Sequence, residues 1–135
     1  MNQKETYKMD RNLNITRHLC LLPGIFLIVS GILLLFFPDL SQALFDFPGK
    51  TISKEPIAHA LGVRQLAIGL MIVALSVSRQ TKALGFVMVI GAIVPMADFL
   101  IFQPVIGTVS AMRHFAPVPF IFGLGVYLLA NSRNK

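Results

Sequence analysis

The sequence predicts an all-α integral membrane protein, a four-helix bundle with both termini cytoplasmic. Three observations carry this. Of 135 residues, 55% are hydrophobic and only 13% charged, about half the charge of a typical soluble domain. Four apolar stretches, near 19–37, 57–77, 83–102 and 114–130, each approach the roughly 20 residues that cross a bilayer. The basic residues gather at alternate ends of these stretches. Lys4, Lys8, Arg11, Arg17, Arg79, Lys82, Arg133 and Lys135 fall on one side, against Lys50, Lys54 and Arg113 on the other. The positive-inside rule puts the richer side in the cytoplasm. The spans and their short connections use the whole chain, so residues 1–135 are expected to form a single membrane domain.

The elements follow in order. Residues 1–16 read as a polar, frayed tail. The first span runs outward to Pro38. It exceeds a signal-peptide core of about 7–15 residues, which makes it an uncleaved anchor. In the connection that follows, Leu40, Ala43, Leu44 and Phe47 recur at helical spacing, with Asp39 a candidate N-cap. This describes a short amphipathic helix on the outer surface, ended by Phe47-Pro48-Gly49 and serving as a connector or as a lid. Pro56 suits the first turn of the second span. Residues 78–82 form a tight turn, with Thr81 as cap of the third span. Residues 105–113 are either loop or an early start to the last helix, which Pro117 and Pro119 would then kink.

Small residues repeat every seven positions: Gly24 and Gly31, Gly62 and Gly69, Gly85 and Ala92, then Ala116, Gly123 and Ala130. Such stripes let membrane helices approach closely.

Charge in hydrocarbon needs a partner or a wet cavity, so Arg64 and Asp98 stand out. Arg64 lies about 10 Å from the outer end of the second span and Asp98 about 6 Å from that of the third, at the helical rise per residue. The two can therefore meet. Gln65, His59 and His114 join them in the outer third of the bundle as a secondary polar wall. Pro95, one turn before Asp98, frees a backbone carbonyl and can widen a cavity there. The cluster is open to a structural reading, an Arg–Asp pair that fixes helix register. It is equally open to a ligand-binding one, with Arg64 as anchor and Asp98 as counter-ion. A proton path is disfavoured, because no charged residue continues the line inward.

The net charge of +6 belongs to segment ends and implies no nucleic acid. Cys20 is alone and excludes an intrachain disulfide. His18 is an interfacial residue. No metal-binding, phosphate-loop or dinucleotide motif is present in the sequence, so neither a metal nor a cofactor is expected.

The run Gly62-Val-Arg64-Gln65-Leu-Ala-Ile-Gly69, with Asp98 in Pro95-Met-Ala-Asp98 and His114 opening the last helix, resembles a family of small four-helix membrane proteins, domain of unknown function 4267, similar to the DoxX-like superfamily. The likeness spans about residues 20–130. The family's second helix typically reads Gly-x-Arg-Asp-x-x-x-Gly, and this chain has Gln65 at the Asp. The resemblance implies a membrane bundle without an established activity; some distant DoxX-like proteins are associated with quinone or thiol redox work.

The expected function is a multi-pass membrane protein, in a bacterial-type inner membrane, that binds a lipophilic small molecule or partner at this cluster. Two alternatives remain open. One is a membrane enzyme acting on a lipophilic carbonyl or quinone-like substrate, with Asp98 or His114 as general acid or base. The other is a structural subunit that forms a homo-oligomer through its small-residue faces.

Overall fold

The first helix begins well before its hydrophobicity does. In the computed structural model, which describes residues 3–37 and 55–132, α1 runs over Gln3–Phe36. The segment expected to fray is helical because it carries an apolar stripe of its own. Met9, Leu13 and Cys20 lie on one face of α1 and pack into the core, and burial of such a stripe, more than propensity, sustains helices in proteins. Arg17 is buried as well, and its backbone carbonyl accepts a 2.7 Å hydrogen bond from Ser76 Oγ.

The second span is α2, Glu55–Val77, with Pro56 in its first turn. The expected surface helix around Leu40–Phe47 lies outside the described residues. Between α2 and α3, Thr81–Gly91, the chain reverses through Arg79, whose φ of 60° lies in the left-handed region. Thr81 does not cap α3. Gln80 holds the cap position and accepts the amide of Leu84 at 2.9 Å, while the Thr81 hydroxyl donates to the carbonyl of Arg79 at 3.4 Å.

The third span is broken. It continues after a turn at Ala92 as α4, Ile93–Ile106. Pro95 lacks the N–H that would satisfy the carbonyl of Gly91, and the ladder fails there. Gly107, at φ 81° and ψ 158°, ends α4 in a backbone region that is essentially glycine's. Residues 108–115 resolve the ambiguity of the fourth segment in favour of helix. Here α5, Thr108–Phe115, is followed by a turn at Ala116-Pro117 and then α6, Val118–Ser132. Pro117 and Pro119 deprive the carbonyls of Arg113 and Phe115 of their helical donors, which accounts for that break.

The described chain is thus helical, without strands, and four of its helical stretches are long and apolar enough to cross a membrane: Tyr7–Phe36, Ala58–Val77, Thr81–Pro104 and Thr108–Ser132. They pair as two hairpins. In the first, α1 and α2 pack along their length through glycines. A Cβ added at Gly31 would stand 2.8 Å from the carbonyl oxygen of Gly62, and one at Gly69 would stand 2.7 Å from that of Gly24. In the second hairpin α3 packs on α6, where a Cβ at Gly125 would meet Val89 N at 2.9 Å and Gly85 O at 3.0 Å. The stripe expected through Gly123 is therefore wrong for the fourth span. Nothing lies within 4 Å of a Cβ built at Gly123, and Gly125 makes the contact instead.

The two hairpins meet in a core of Leu13, Cys20, Ile72, Leu84, Met88 and Leu128. This core occupies the half of the bundle that holds the chain ends and the Arg79 turn. In the other half the hairpins diverge.

Candidate ligand site between the two hairpins

Each functional side chain is placed by one of these features. The heptad glycines bring α2 against α1 and turn Arg64 and Gln65 toward the second hairpin. The Ala92 break swings α4 aside and carries Asp98 with it. The result is a cavity of about 700 Å³ walled by all four spans. Leu22 and Phe26, Leu61 and Ile68, Val94 and Phe102, and Phe120 and Ile121 supply most of its wall. One turn inward from Ile68 and Gly91, the buried side chains of Ile72 and Met88 close the bundle.

The polar groups on this wall are Arg64, Gln65, Asp98 and Arg113. Arg64 Nη2 stands 3.5 Å from Asp98 Oδ2, and the two side chains are 40% and 22% exposed. A single long end-on contact falls short of the paired, 2.7–2.9 Å geometry in which arginine and carboxylate satisfy each other. Arg64 Nε is buried and has no hydrogen-bond partner among the described residues. A buried donor in that state carries a desolvation penalty of about 1–3 kcal/mol until something accepts from it.

Gln65 is anchored. Ser30 Oγ donates to its Oε1 at 2.6 Å, with the Leu27 carbonyl 3.1 Å from the same hydroxyl. With Oε1 held by Ser30 of α1, Gln65 also carries its amide NH2, another donor group on the cavity wall. Asp98, by contrast, accepts.

The remaining residues expected at the site divide. His59 is not on the cavity wall. Its Nε2–H donates to the carbonyl of Leu35 at 3.1 Å, in the last turn of α1. It joins α1 to α2. The backbone of His114 lies in α5, and its side chain falls outside the described residues. Arg113, expected only as an outer-loop charge, lines the cavity instead. The sign of this in the sequence is its place one turn before Pro117, on the helix that residues 108–115 prove to form.

No group of three or more His, Cys, Asp or Glu side chains could hold a metal ion among the described residues. Cys20 is fully buried in the core, away from the cavity.

Four apolar helices, sealed at one end and parted around a mostly apolar cavity with a few convergent polar groups at the other, define a small multi-pass membrane protein with a pocket of ligand size. The chain belongs to the family described as Domain of unknown function (DUF4267), whose model matches residues 24–128 and so reaches all four spans that wall the cavity. No curated protein and no solved structure matches the chain.

Proposed function

We propose that the protein binds one small lipophilic molecule between its hairpins, with its apolar body against the cavity wall and an oxygen-bearing head on Arg64. The carrying observation is the underused guanidinium. Among the described residues, Arg64 touches Asp98 at 3.5 Å and keeps a buried Nε–H without a partner in a cavity of about 700 Å³. Ligand pockets typically span about 300–1,000 Å³ and are apolar with a few placed polar groups. If fixing helix register were the whole role of Arg64 and Asp98, a shorter contact with the guanidinium satisfied would be expected.

The polarity of the head follows from the wall. Arg64 and Gln65 offer donors, so the head must accept. Asp98 offset the charge of Arg64 and offers an acceptor to a hydroxyl beside it. The bias of basic residues toward the termini and the Arg79 turn puts the sealed half at the cytoplasmic side, so the cavity belongs to the outer half of an inner-membrane protein. The subunit reading draws less support, because the heptad glycines Gly24, Gly31, Gly62, Gly69 and Gly85 are spent on contacts within the chain.

The test is native mass spectrometry of the protein released from nanodiscs made with total membrane lipid. A hydrogen bond to a charged group contributes about 1.5–3 kcal/mol, or roughly 10- to 100-fold in affinity. Wild type and Gly123→Ala should retain a small molecule in a one-to-one ratio, and Arg64→Gln should lose it while keeping its thermal stability. Equal retention by wild type and Arg64→Gln, or none by wild type, would refute the assignment.

A further inference from the structure

The outer halves of the third and fourth spans form a unit of their own. Chain breaks bound residues 93–115 on both sides, at Ala92 and at Ala116-Pro117. Within this unit α4 and α5 pack closely, turned by Gly107 and pinned by the rings of Phe99 and Phe115, whose centroids are 5.5 Å apart. Outward the unit is held loosely: α4 and α5 make far less contact with α1, α2, α3 or α6 than with each other. Across the gap between α2 and this unit, Arg64 donates to Asp98.

Both breaks border the cavity. Gly91 and Pro95 flank the first and line it; Ala116 and Pro117 form the second and line it too. A hairpin joined to the body through two interrupted helices is the arrangement of hinge-borne closure, in which a few element-terminal residues absorb the φ/ψ change. Local opening follows regions with few outward contacts. The hinges are chemically marked as well. Pro95, Pro117 and Pro119 cannot complete the helical ladder, so swinging there breaks fewer hydrogen bonds than bending an intact helix would.

We infer that the α4–α5 hairpin is a gate: it swings about Ala92 and Ala116-Pro117, parts from α2, and opens the cavity sideways to the bilayer, with Arg64–Asp98 as its latch. The opening lies between transmembrane helices, so it admits molecules dissolved in the membrane. The ligand would then exchange with lipid without crossing the sealed core. Motion of the hairpin is independent of the ligand proposed above and can be read without one.

The experiment is hydrogen–deuterium exchange of the full chain in nanodiscs. Asp98→Asn removes the latch charge and should speed exchange in residues 93–115 by about threefold to fivefold, the upper part of the range for an accessible ion pair, while 58–77 stays unchanged. Pro95→Ala restores the missing N–H and should slow exchange in the same segment, a sign that general destabilisation cannot produce. A second readout uses Val94→Cys with a long-chain alkyl maleimide dissolved in the bilayer, the buried Cys20 serving as internal control. Labelling should be faster in the Asp98→Asn background and slower with Pro95→Ala. Exchange that rises evenly over all four spans in Asp98→Asn, or that is unmoved by both variants, would overturn the gate. Either result would leave the Arg64-dependent retention of a small molecule to stand or fall separately.

Discussion

Replacing Gly31 by alanine should separate the first two spans. The added Cβ would stand 2.7 Å from Leu66 N and 2.8 Å from Gly62 O, against the 3.4 Å at which ordinary contact begins. Both obstacles are backbone, so no side chain can rotate away and the helices must part by about 0.6–0.7 Å. A gap of 0.5–1 Å forfeits a quarter to a half of the dispersion energy across it. Between membrane helices that energy is a main term, because lipid provides no hydrophobic drive for their association. Overpacking of this kind destabilises by about 1–3 kcal/mol. Gly31→Ala should therefore destabilise by about 2 kcal/mol. Gly123→Ala, with nothing within 4 Å of its Cβ, should fall within about 0.5 kcal/mol of wild type, as substitutions away from packed features do. Reversible unfolding in bicelles by steric trapping measures both. Equal stability of the two variants would refute the close glycine packing of α1 on α2.

Two further outcomes follow from single residues. Gly107→Ala should destabilise by about 1–3 kcal/mol, the strain of a non-glycine residue in this backbone region, although a Cβ there meets nothing within 4 Å; thermal unfolding in detergent unchanged from wild type would contradict the φ of 81°. Ser30→Ala removes the 2.6 Å bond to Gln65 and should lower stability by about 0.6 kcal/mol, the average of such bonds between membrane helices. The same variant frees the Gln65 amide to rotate, so small-molecule retention should fall as well. Loss of stability with full retention in native mass spectrometry would show that Gln65 does not touch the ligand.

Much of this architecture is legible in the sequence, for definite reasons. Hydropathy reports membrane crossing directly. Heptad glycines report close approach, and Gly24, Gly31, Gly62 and Gly69 do meet across α1 and α2. Counting residues from the span ends puts Arg64 and Asp98 at similar depth, and their side chains touch. The proline rule anticipates the break before Pro95.

The failed stripe has a plain cause: periodicity presumes an unbroken helix. The stripe from Ala116 to Gly123 crosses the Pro117–Pro119 interruption, which resets the phase, so Gly125 rather than Gly123 faces the third span. The helicity of residues 3–16 hides behind their polarity, although Met9, Leu13, Thr16 and Cys20 mark one face. His59 looks like a site residue because histidine near a membrane surface suggests chemistry. Its partner is a backbone carbonyl in the last turn of α1, Leu35 O, and composition cannot reveal a tertiary bond of that kind. Arg113 escapes notice because residues 105–113 read equally as loop or helix, and it counts only as a charge on the outer side.

The separation of the sealed half from the divergent half has a consequence for how such a chain can change over generations. Leu13, Cys20, Ile72, Leu84, Met88 and Leu128, which close the fold, share no position with the cavity wall. Substitutions at Leu61, Val94, Phe102 or Phe120 can reshape what the cavity accommodates without first weakening the assembly that inserts and folds. Arg64 is less free, being flanked by Gly62 and Gly69 on the helix that α1 clasps. Variation among relatives should therefore concentrate on the apolar α4 and α6 walls, with Arg64 held on α2.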